Sequence, residues 1–450
     1  MKPSIHTLIL ADGEHYLPNL ESALRKLEET VCVDMVLFIG GIEKIGSFDR
    51  ISEQLDFPIE PAFTRTGPDM ERLAGLFSKH RADRVIDLSD EPVLDYPGRL
   101  YIANLALHYG MTYQGADFFF TPPRFADILT KPSIALWGTG KRIGKTAMGG
   151  FTARALQRAG RQPAVVTLSR GGPGKPYLLR GDRIHLSPES LLEFTQKGLH
   201  AASDYVEDAV TGRCITIGCR RCGGGLAGAP YFSIVGRGAQ LAESHPDVDV
   251  VILEGSGATL PDVRAGKTVL LVSVVQDPET VKNYFGPYRV MGADLVILCG
   301  CERPLADRER VRIFTRIIRD INPDVPVAKV VLRPSPLKDI RGKKVFYATT
   351  APECMIEKME AYLAGSSGCT VVGSTAHLSY RDKLDRDIRD SAEGADVFLT
   401  EVKASAVDTV FNLAKTMNKD VVFCDNVPEV VEGSPVTDLE KAILDLSGVC

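Results

Sequence analysis

A nine-residue stretch from Gly138 to Thr146 has the composition of a loop that could wrap an anion. It reads Gly-Thr-Gly-Lys-Arg-Ile-Gly-Lys-Thr, between an apolar run at Ile134–Trp137 and a helix-like segment that ends at Gly160. A glycine-rich turn between strand and helix points backbone N–H groups inward, and the helix N-terminus adds partial positive charge. The stretch therefore predicts a phosphate-binding loop, with Lys145 on the β and γ phosphates of a nucleotide and the Thr146 hydroxyl on Mg²⁺.

Every residue of this loop is a predicted nucleotide contact, and Lys141 joins Lys145 as a predicted catalytic cation. The loop departs from the common G-x-x-x-x-G-K-[ST] form because Thr139 stands where the first glycine is expected. The alternative is a glycine-rich turn with a stray lysine. The predicted nucleotide-binding residues are Gly138, Thr139, Gly140, Lys141, Arg142, Ile143, Gly144, Lys145 and Thr146.

A carboxylate follows another apolar run and could complete a metal site with Thr146. Val248–Leu253 reads as a buried strand, and Glu254 comes directly after it with the small residues Gly-Ser-Gly behind it. Ligands of parallel sheets gather at the carboxyl ends of the strands, and carboxylates are suitable ligands for Mg²⁺. Glu254 is therefore predicted to hold the metal and to take part in catalysis; a solvated glutamate in a turn is the alternative.

Two basic, glycine-rich segments could bind a second, phosphorylated ligand. SRGGPGKP presents Arg170 and Lys175 after a predicted strand, and GCRRCGGGLAG presents Arg220 and Arg221 ahead of three glycines, with Arg237 further on. Guanidinium and ammonium groups bind phosphate oxygens, so these five residues are predicted substrate contacts. The alternative for each segment is a mobile surface loop with solvated charge.

Polar side chains also follow predicted strands near both ends of the chain. Asp12, Glu14 and His15 come after the first strand, and Glu401 and Lys403 come after a strand in the last quarter. Carboxylates and a histidine at a strand end could bind substrate, hold a metal or transfer a proton, and Lys403 could contact an anionic substrate. Both segments could equally be simple turns.

The overall balance of residues is that of a folded, soluble protein. Of 450 residues 44% are hydrophobic and 25% charged, and the formal net charge is −5. Nothing in this balance attracts a polyanion, so no nucleic-acid partner is expected. The longest apolar stretch, Val269–Val275, is far below the roughly 20 residues of a membrane helix, and the N-terminal apolar stretch is too short for a signal peptide. We expect a cytoplasmic protein with no membrane partner.

The ten cysteines are too dilute for a disulfide scaffold. Cys299 and Cys424 lie within apolar runs, where a thiol packs as a small hydrophobe. Cys219 and Cys222, with Cys214 nearby, are the exception. They are either inert thiols or a redox or metal pair, although no second C-x-x-C follows to complete a zinc site.

Short apolar runs alternate with helix-period segments along the chain, which predicts an α/β fold with parallel sheets. We predict three doubly wound α/β blocks, at residues 1–125, 126–335 and 336–450, of which the central one holds a P-loop NTPase-type parallel sheet. The proline-rich stretch VVLRPSPLKDIRGKK is expected to be the exit from the central block. The predicted strands are Ile5–Ala11, Met35–Gly40, Arg84–Leu88, Ile134–Trp137, Ala164–Ser169, Val248–Leu253, Thr268–Val275, Asp294–Cys299, Val345–Ala348, Thr370–Val372, Asp396–Thr400 and Asp420–Cys424.

Several motifs in this order resemble the cyclic 2,3-diphosphoglycerate synthetase family over nearly the whole chain. The phosphate loop and VILEGSG are also similar to segments of dethiobiotin synthetase, and an acidic segment of those relatives resembles HAASDYVEDA, which adds Asp204 as a metal ligand. The motifs are ADGEHY, FIGG, GTGKRIGKT, SRGGPGKP, HAASDYVEDA, GCRRCGGGLAG, VILEGSG and TEVKASAVD.

This resemblance implies a ligase that joins the two phosphates of 2,3-bisphosphoglycerate into a cyclic anhydride while ATP, bound with Mg²⁺, becomes ADP and phosphate. ATP would phosphorylate one substrate phosphate, and the neighbouring phosphate would attack it and expel inorganic phosphate. A homodimer is compatible with the sequence. Two alternatives stay open: a kinase acting on 2-phosphoglycerate or another phosphorylated acid, and a non-enzymatic nucleotide-dependent switch.

Overall fold

The computed structural model describes residues 4–42, 47–184, 186–196, 203–403 and 406–448. Contacts between Cα atoms group the chain into two compact units. The first unit comprises Met1–Pro123 and Glu279–Gly292, and the second comprises Arg124–Pro278 and Ala293–Cys450. The predicted cuts after residues 125 and 335 into three domains stay a prediction.

Strands and helices alternate along most of the chain. The strands are β1 (His6–Ala11), β2 (Cys32–Phe38), β3 (Ile59–Pro61), β4 (Phe63–Thr64), β5 (Gly67–Pro68), β6 (Arg84–Asp87), β7 (Thr112–Gln114), β8 (Phe119–Phe120), β9 (Ser133–Gly138), β10 (Pro163–Ser169), β11 (Tyr177–Arg180), β12 (Ile215–Cys222), β13 (Phe232–Ser233), β14 (Val250–Glu254), β15 (Lys267–Ser273), β16 (Leu295–Cys299), β17 (Val327–Pro336), β18 (Lys344–Ala348), β19 (Thr370–Thr375), β20 (Val397–Thr400) and β21 (Asp420–Val430).

A 3₁₀ turn at Glu353–Met355 and a π-helical turn at Ala406–Val410 accompany the α-helices. The α-helices are α1 (Leu17–Glu28), α2 (Phe48–Gln54), α3 (Met70–His80), α4 (Tyr96–His108), α5 (Lys145–Arg158), α6 (Pro188–Gln196), α7 (Asp204–Gly212), α8 (Val235–Ser244), α9 (Glu279–Lys282), α10 (Gly286–Met291), α11 (Arg308–Ile321), α12 (Ile356–Ser367), α13 (Arg381–Ser391), α14 (Phe411–Thr416) and α15 (Leu439–Ser447).

The first unit is built on a six-stranded sheet of order β3-β2-β1-β6-β7-β8. The first five strands are parallel, and β8 pairs antiparallel with β7. The strand order reverses at β1, which opens a crevice beyond the carboxyl ends of β1 and β6. Asp12 follows β1 directly and therefore lies at this edge of the sheet.

The second unit is built on one continuous sheet of order β11-β12-β10-β14-β9-β15-β16-β17-β21-β20-β18-β19, with β13 added beside β12. The strands from β12 to β17 in this order are parallel. Because β9 lies between β14 and β15, the loop after β9 and Glu254 at the end of β14 meet at one sheet edge. The predicted α/β class and the P-loop type of central sheet are confirmed.

The proline-rich segment after residue 330 begins within a strand, and its role as the exit from the central block stays a prediction. Strand β17 runs through it to Pro336 and pairs antiparallel with β21, so the sheet continues into the C-terminal strands. The backbone N–H of Leu337 donates to the Phe423 carbonyl at 2.8 Å. Since hydrogen-bonded positions alternate in an antiparallel pair, Pro334 and Pro336 fall at positions where no N–H is required.

Helix α5 connects the central strands to the rest of the second unit. Its apolar face, with Met148 and Phe151, packs in the core that also contains Leu439 and Ile443 of α15. Another face of α5 carries glycine: a Cβ atom added to Gly150 would lie 2.9 Å from the Thr211 hydroxyl of α7. Close approach of α7 therefore depends on glycine in the middle of α5.

Arg154 of α5 forms two contacts that fix this helix. Its Nη2 atom lies 2.8 Å from Oδ2 of buried Asp425 on β21, and its Nη1 donates to the Thr211 carbonyl at 2.8 Å. We expect Arg154→Met to lower the free energy of unfolding by about 3 kcal/mol, because it leaves a buried carboxylate without its cation. The melting temperature measures the loss. Arg158→Met, which breaks an exposed pair with Glu440, is the matched control and should change little; equal losses in the two variants would contradict the assignment.

Candidate functional site

The loop between β9 and α5 has the geometry of a phosphate-binding turn. Gly144 adopts φ +94°, a conformation that favours glycine, and α5 begins at the next residue. The Lys145 side chain folds back across the loop, where Nζ donates to the Gly140 carbonyl at 2.8 Å. A Cβ atom on Gly138 would lie 2.9 Å from this Nζ, so glycine is needed there for the lysine to cross. The backbone is thus shaped around the position of the ammonium group.

Thr146 and Glu254 meet as the sequence predicted. The Thr146 hydroxyl donates to Glu254 Oε1 at 2.9 Å. Glu254 is 2% exposed, and burial, followed by the neighbouring Asp204 charge, raises the pKa of its carboxyl to about 7. Burial likewise lowers the pKa of Lys145 to about 8, against the attraction of the nearby Glu254 and Asp204 carboxylates. These groups therefore share one desolvated environment.

Helix α7 adds three carboxyl groups to the site, at Asp204, Glu207 and Asp208. Burial raises the pKa of all three, and for Glu207 the value reaches about 8. Asp204 is the predicted metal ligand, and the charges of Lys145, Lys403, Lys141 and Arg170 oppose the rise in its pKa. The helix thus presents acidic groups to the surroundings of Lys145.

Asp208 was missed by sequence reasoning. It is 0% exposed, and apart from a contact between the Asp208 and Glu254 carboxyl groups, neither its carboxylate oxygens nor Oε2 of Glu254 has a hydrogen-bond donor within the described residues. A Cβ atom on Gly149 would lie 3.1 Å from Asp208 Oδ1 and 3.8 Å from Glu254 Oε2, which places both oxygens beside the same glycine. Buried oxygens without donors fit a divalent cation. The i, i+4 spacing of Asp204 and Asp208, together with two glycines inside α5, was the available signal.

Lys403 contacts α7 through Glu207. Its Nζ is 2.9 Å from Glu207 Oε1 and 3.9 Å from Glu401 Oε2. The Thr349 and Thr350 hydroxyls donate to Glu401 at 2.6 and 2.7 Å. Lys403 is therefore engaged with carboxylates of the protein, and a segment beyond residue 400 is tied to the acidic helix.

Three of the predicted cations converge on the turn after Glu254. A Cβ atom on Gly257 would lie 3.1 Å from Arg170 Nη2, 3.8 Å from Lys141 Cγ and 4.0 Å from Arg221 Nη2. Arg221 is buried and donates to the Ser256 carbonyl at 2.9 Å, so part of its role is to hold this turn. Arg170 and Lys141 are exposed beside it. The structure thus groups positive charge next to Glu254, a predicted metal ligand.

The other predicted substrate contacts are more dispersed. Arg220 and Arg221 lie within the last residues of strand β12 rather than in a loop, and Arg220 Nε donates to the Gly172 carbonyl at 3.0 Å. Lys175 is exposed in the loop after β10, and Arg237 is exposed on α8. Arg142, a predicted nucleotide contact at φ +57°, donates to the Ser379 hydroxyl at 3.1 Å. Their contacts with a ligand stay predictions.

Family models match three consecutive segments of the chain. The N-terminal domain of cyclic 2,3-diphosphoglycerate synthetase matches residues 6–121, its P-loop domain residues 133–331 and its C-terminal domain residues 336–427. The chain belongs to the cyclic 2,3-diphosphoglycerate synthetase family. The resemblance seen in the sequence motifs is thereby confirmed.

Individual members of this family are similar over nearly their full length. The cyclic 2,3-diphosphoglycerate synthetase of Methanothermobacter thermautotrophicus is 44% identical over 455 residues, covering 99% of this chain and 97% of that protein. The one from Methanothermus fervidus is 43% identical over 448 residues, covering 98% and 96%. Among solved structures, ATP-bound LpxK from Aquifex aeolicus covers 72% of this chain and 90% of its own, with 14% identity and a TM-score of 0.42, a likeness too weak to bear on function.

In the family's N-terminal domain, Asp12 organises a smaller cluster. Its buried carboxylate accepts from the Glu14 N–H at 3.0 Å, from His15 Nδ1 at 2.9 Å and from the Asp90 N–H at 2.5 Å. His15 Nε2 lies 3.5 Å from Asp90 Oδ2. The Asp12 carboxylate therefore accepts its hydrogen bonds from groups of the protein itself. It orients His15, whose ring is partly exposed. The predicted roles of these residues toward substrate stay predictions.

The two cysteines of the C-x-x-C segment do not face one another. Cys219 is buried and Cys222 exposed, three residues apart on β12, and side chains three residues apart on a strand point to opposite faces. Both thiols are free. Among the helices that the structure describes, none is long and apolar enough to cross a lipid bilayer.

The Lys403 contacts generate a test that depends on pH. In Lys403→Met, Glu207 and Glu401 lose their ammonium partner, so the folded state favours their protonated forms. A carboxyl whose pKa is raised on folding costs stability as pH rises above its unfolded value of about 4.3. We expect the melting temperature of Lys403→Met to fall further below that of the unsubstituted protein at about pH 8 than at about pH 5.

Glu207→Gln in the Lys403→Met background is the control, since it removes one of the unpaired carboxyl groups. We expect the double variant to recover part of the loss at the higher pH. A deficit that is the same at both pH values would show that Lys403 does not balance these carboxylates.

Proposed function

We propose that this chain uses ATP to close the two phosphates of 2,3-bisphosphoglycerate into cyclic 2,3-diphosphoglycerate, with release of ADP and inorganic phosphate. Membership of the synthetase family supports this reaction, and the site contains the residues that a phosphoryl transfer from ATP requires. One observation carries the proposal most directly: Lys145 and Thr146 of the phosphate loop share a buried environment with Glu254, whose Oε1 accepts the Thr146 hydroxyl. Relatives of this length and identity give no support to the kinase or the switch.

The proposed chemistry balances in two displacements. An oxygen of one substrate phosphate attacks the γ-phosphorus of ATP, and the bond to ADP breaks. The phosphorus of that activated phosphate is then attacked by an oxygen of the neighbouring phosphate, and inorganic phosphate leaves with the bonding electrons. Closure is intramolecular and needs no nucleophile from the protein, so positioning and charge neutralisation provide the rate enhancement.

Each group of the loop has a defined task in this proposal. The inward N–H groups of the turn from Gly140 to Lys145 bind the β and γ phosphates, and the Lys145 ammonium neutralises charge that develops on the transferring group. Thr146, Glu254, Asp204 and Asp208 would hold Mg²⁺. When bound, Mg²⁺ supplies neutralisation of phosphate oxygens.

The cations around Gly257 provide the proposed site for the substrate phosphates. Arg170 and Lys141 are exposed next to the turn after Glu254, and buried Arg221 fixes that turn. Guanidinium groups are suited to phosphate because they donate two parallel hydrogen bonds. The remaining proposed substrate contacts are Lys175, Arg220, Arg237, Asp12, Glu14, His15 and Lys403.

The broader context of the enzyme is also a proposal. We propose a cytoplasmic protein, compatible with a homodimer, in which residues 1–125, 126–335 and 336–450 form three functional domains. The separate family matches to three segments support the last point. Neither a nucleic acid nor a membrane takes part.

Phosphorus NMR tests the reaction. A mixture of the protein, Mg-ATP and 2,3-bisphosphoglycerate should yield a cyclic anhydride resonance together with ADP and inorganic phosphate in equal amounts. The same mixture without ATP is the control and should remain unchanged. Formation of ADP with a newly phosphorylated acid and no cyclic product would instead establish a kinase.

Substitutions at the loop test the assignment of residues. We expect Lys145→Ala and Glu254→Gln each to lower kcat by at least about 100-fold, because each removes charge complementarity at the transferring phosphoryl group. Initial rates of ADP release measure this. Lys131→Ala is the control, since Lys131 donates to the Ala242 and His245 carbonyls at the start of the same domain and should leave kcat unchanged. Full activity in either loop variant would mean that the metal–nucleotide site lies elsewhere.

A further inference from the structure

The threonine that replaces the first glycine of the phosphate loop is hydrogen-bonded to a glutamine in the turn after the neighbouring strand. The Thr139 hydroxyl donates to Gln276 Oε1 at 2.9 Å, while its other acceptor, the Leu271 carbonyl, lies at the limiting distance of 3.5 Å. Gln276 comes three residues after the end of β15, which pairs with β9. The replacement of glycine at this position thus has a structural use: it joins the loop to the turn after β15.

The other end of the same amide has no partner. Gln276 Nε2 is buried and has no hydrogen-bond acceptor within the described part of the chain. Folded proteins seldom leave a buried N–H₂ group without an acceptor, because the free energy of its lost hydration is then not offset by a hydrogen bond. An unpaired donor beside a phosphate loop therefore points to an acceptor that arrives with a ligand.

The position of the amide indicates which part of the ligand it meets. Oε1 of Gln276 lies 3.9 Å from the place that a Cβ atom on Gly140 would occupy, and the Gly140 carbonyl is the group that accepts from Lys145 Nζ. The lysine of a phosphate loop serves the β and γ phosphates. Gln276 is thus adjacent to the end of the loop where the terminal phosphate is held, rather than to the nucleoside end.

Arg310 holds the turn that carries Gln276 in place. Its guanidinium donates to three successive carbonyls, those of Val274 at 2.5 Å, Val275 at 3.1 Å and Gln276 at 2.7 Å. Helix α11 starts two residues before Arg310, and Asp307 caps it by accepting from the Arg310 N–H at 2.8 Å. The turn is therefore fixed before any ligand binds, which lowers the entropy that a contact from Gln276 would cost.

We propose that the side-chain N–H₂ of Gln276 donates a hydrogen bond to an oxygen of the terminal phosphoryl group of bound ATP. The proposal rests on the proposed function, because it assumes that ATP occupies the loop. Thr139 orients the amide by donating to its oxygen, which leaves the nitrogen directed to the phosphate. Gln276 thereby distinguishes the triphosphate from the diphosphate product and aids the release of ADP.

Isothermal titration calorimetry tests this with a nonhydrolysable ATP analogue and with ADP, each with Mg²⁺. We expect Gln276→Met, which removes the donor without adding charge, to weaken binding of the analogue by about 10-fold or more, as for a hydrogen bond to a charged group. Binding of ADP should change by less than about 3-fold, because ADP lacks the acceptor. Thr139→Val keeps the donor but removes the hydrogen bond that orients it, so it should weaken binding of the analogue more than binding of ADP, and by less than Gln276→Met does.

Gln157→Met is the matched control. Gln157 lies on α5 of the same unit and donates through Nε2 to the Arg213 carbonyl at 2.9 Å, so its variant should bind both nucleotides like the unsubstituted protein. Equal weakening of analogue and ADP binding by Gln276→Met would show that Gln276 only stabilises the loop, and it would overturn the proposal. No weakening of either would overturn it as well. If the unsubstituted protein binds neither nucleotide, the proposed function itself fails.

Discussion

Negative charge buried beside a lysine is the constraint on which the site depends. Asp204, Glu207, Asp208 and Glu254 form one acidic cluster that reaches Lys145 through Asp204 and Glu254, and burial raises the pKa of each carboxyl while it lowers that of the lysine. In such surroundings like charges repel more strongly than in water, so the cluster needs either protons or added cations to be stable. The proposed magnesium–nucleotide complex would meet this need, because it brings positive charge to the carboxylates and negative charge to the lysine and the loop amides.

The rest of the second unit serves this cluster. The antiparallel pairing of β17 with β21 extends the central sheet into the C-terminal strands. Two residues of this C-terminal part contact the helices of the site. Arg154 on α5 pairs with Asp425, and Lys403 pairs with Glu207 on α7. Because α5 begins at Lys145 and α7 carries the acidic groups, both helices that form the site are secured by residues beyond position 400. The C-terminal domain of the family is thus part of the support of the phosphate site.

Sequence reasoning located the parts of the site that follow one another along the chain, and it missed those that depend on packing. The phosphate loop and Glu254 could be predicted because each follows an apolar strand, and parallel strands bring their carboxyl ends together. Asp208 and Gln276 could not, since one reaches the site through the closeness of α5 and α7 at Gly149 and the other through a turn held by Arg310. The prolines of β17 suggest a break in regular structure, whereas they fall at positions of an antiparallel pair that need no N–H.

A crystal structure with a nonhydrolysable ATP analogue and Mg²⁺ tests the central claim most directly. We expect the β and γ phosphates to lie against the backbone N–H groups of the turn that ends at Lys145, with the Lys145 ammonium transferred from the Gly140 carbonyl to phosphate oxygens and the metal beside Thr146 and Glu254. A structure in which the turn keeps its present contacts and the triphosphate binds at another place would contradict the account.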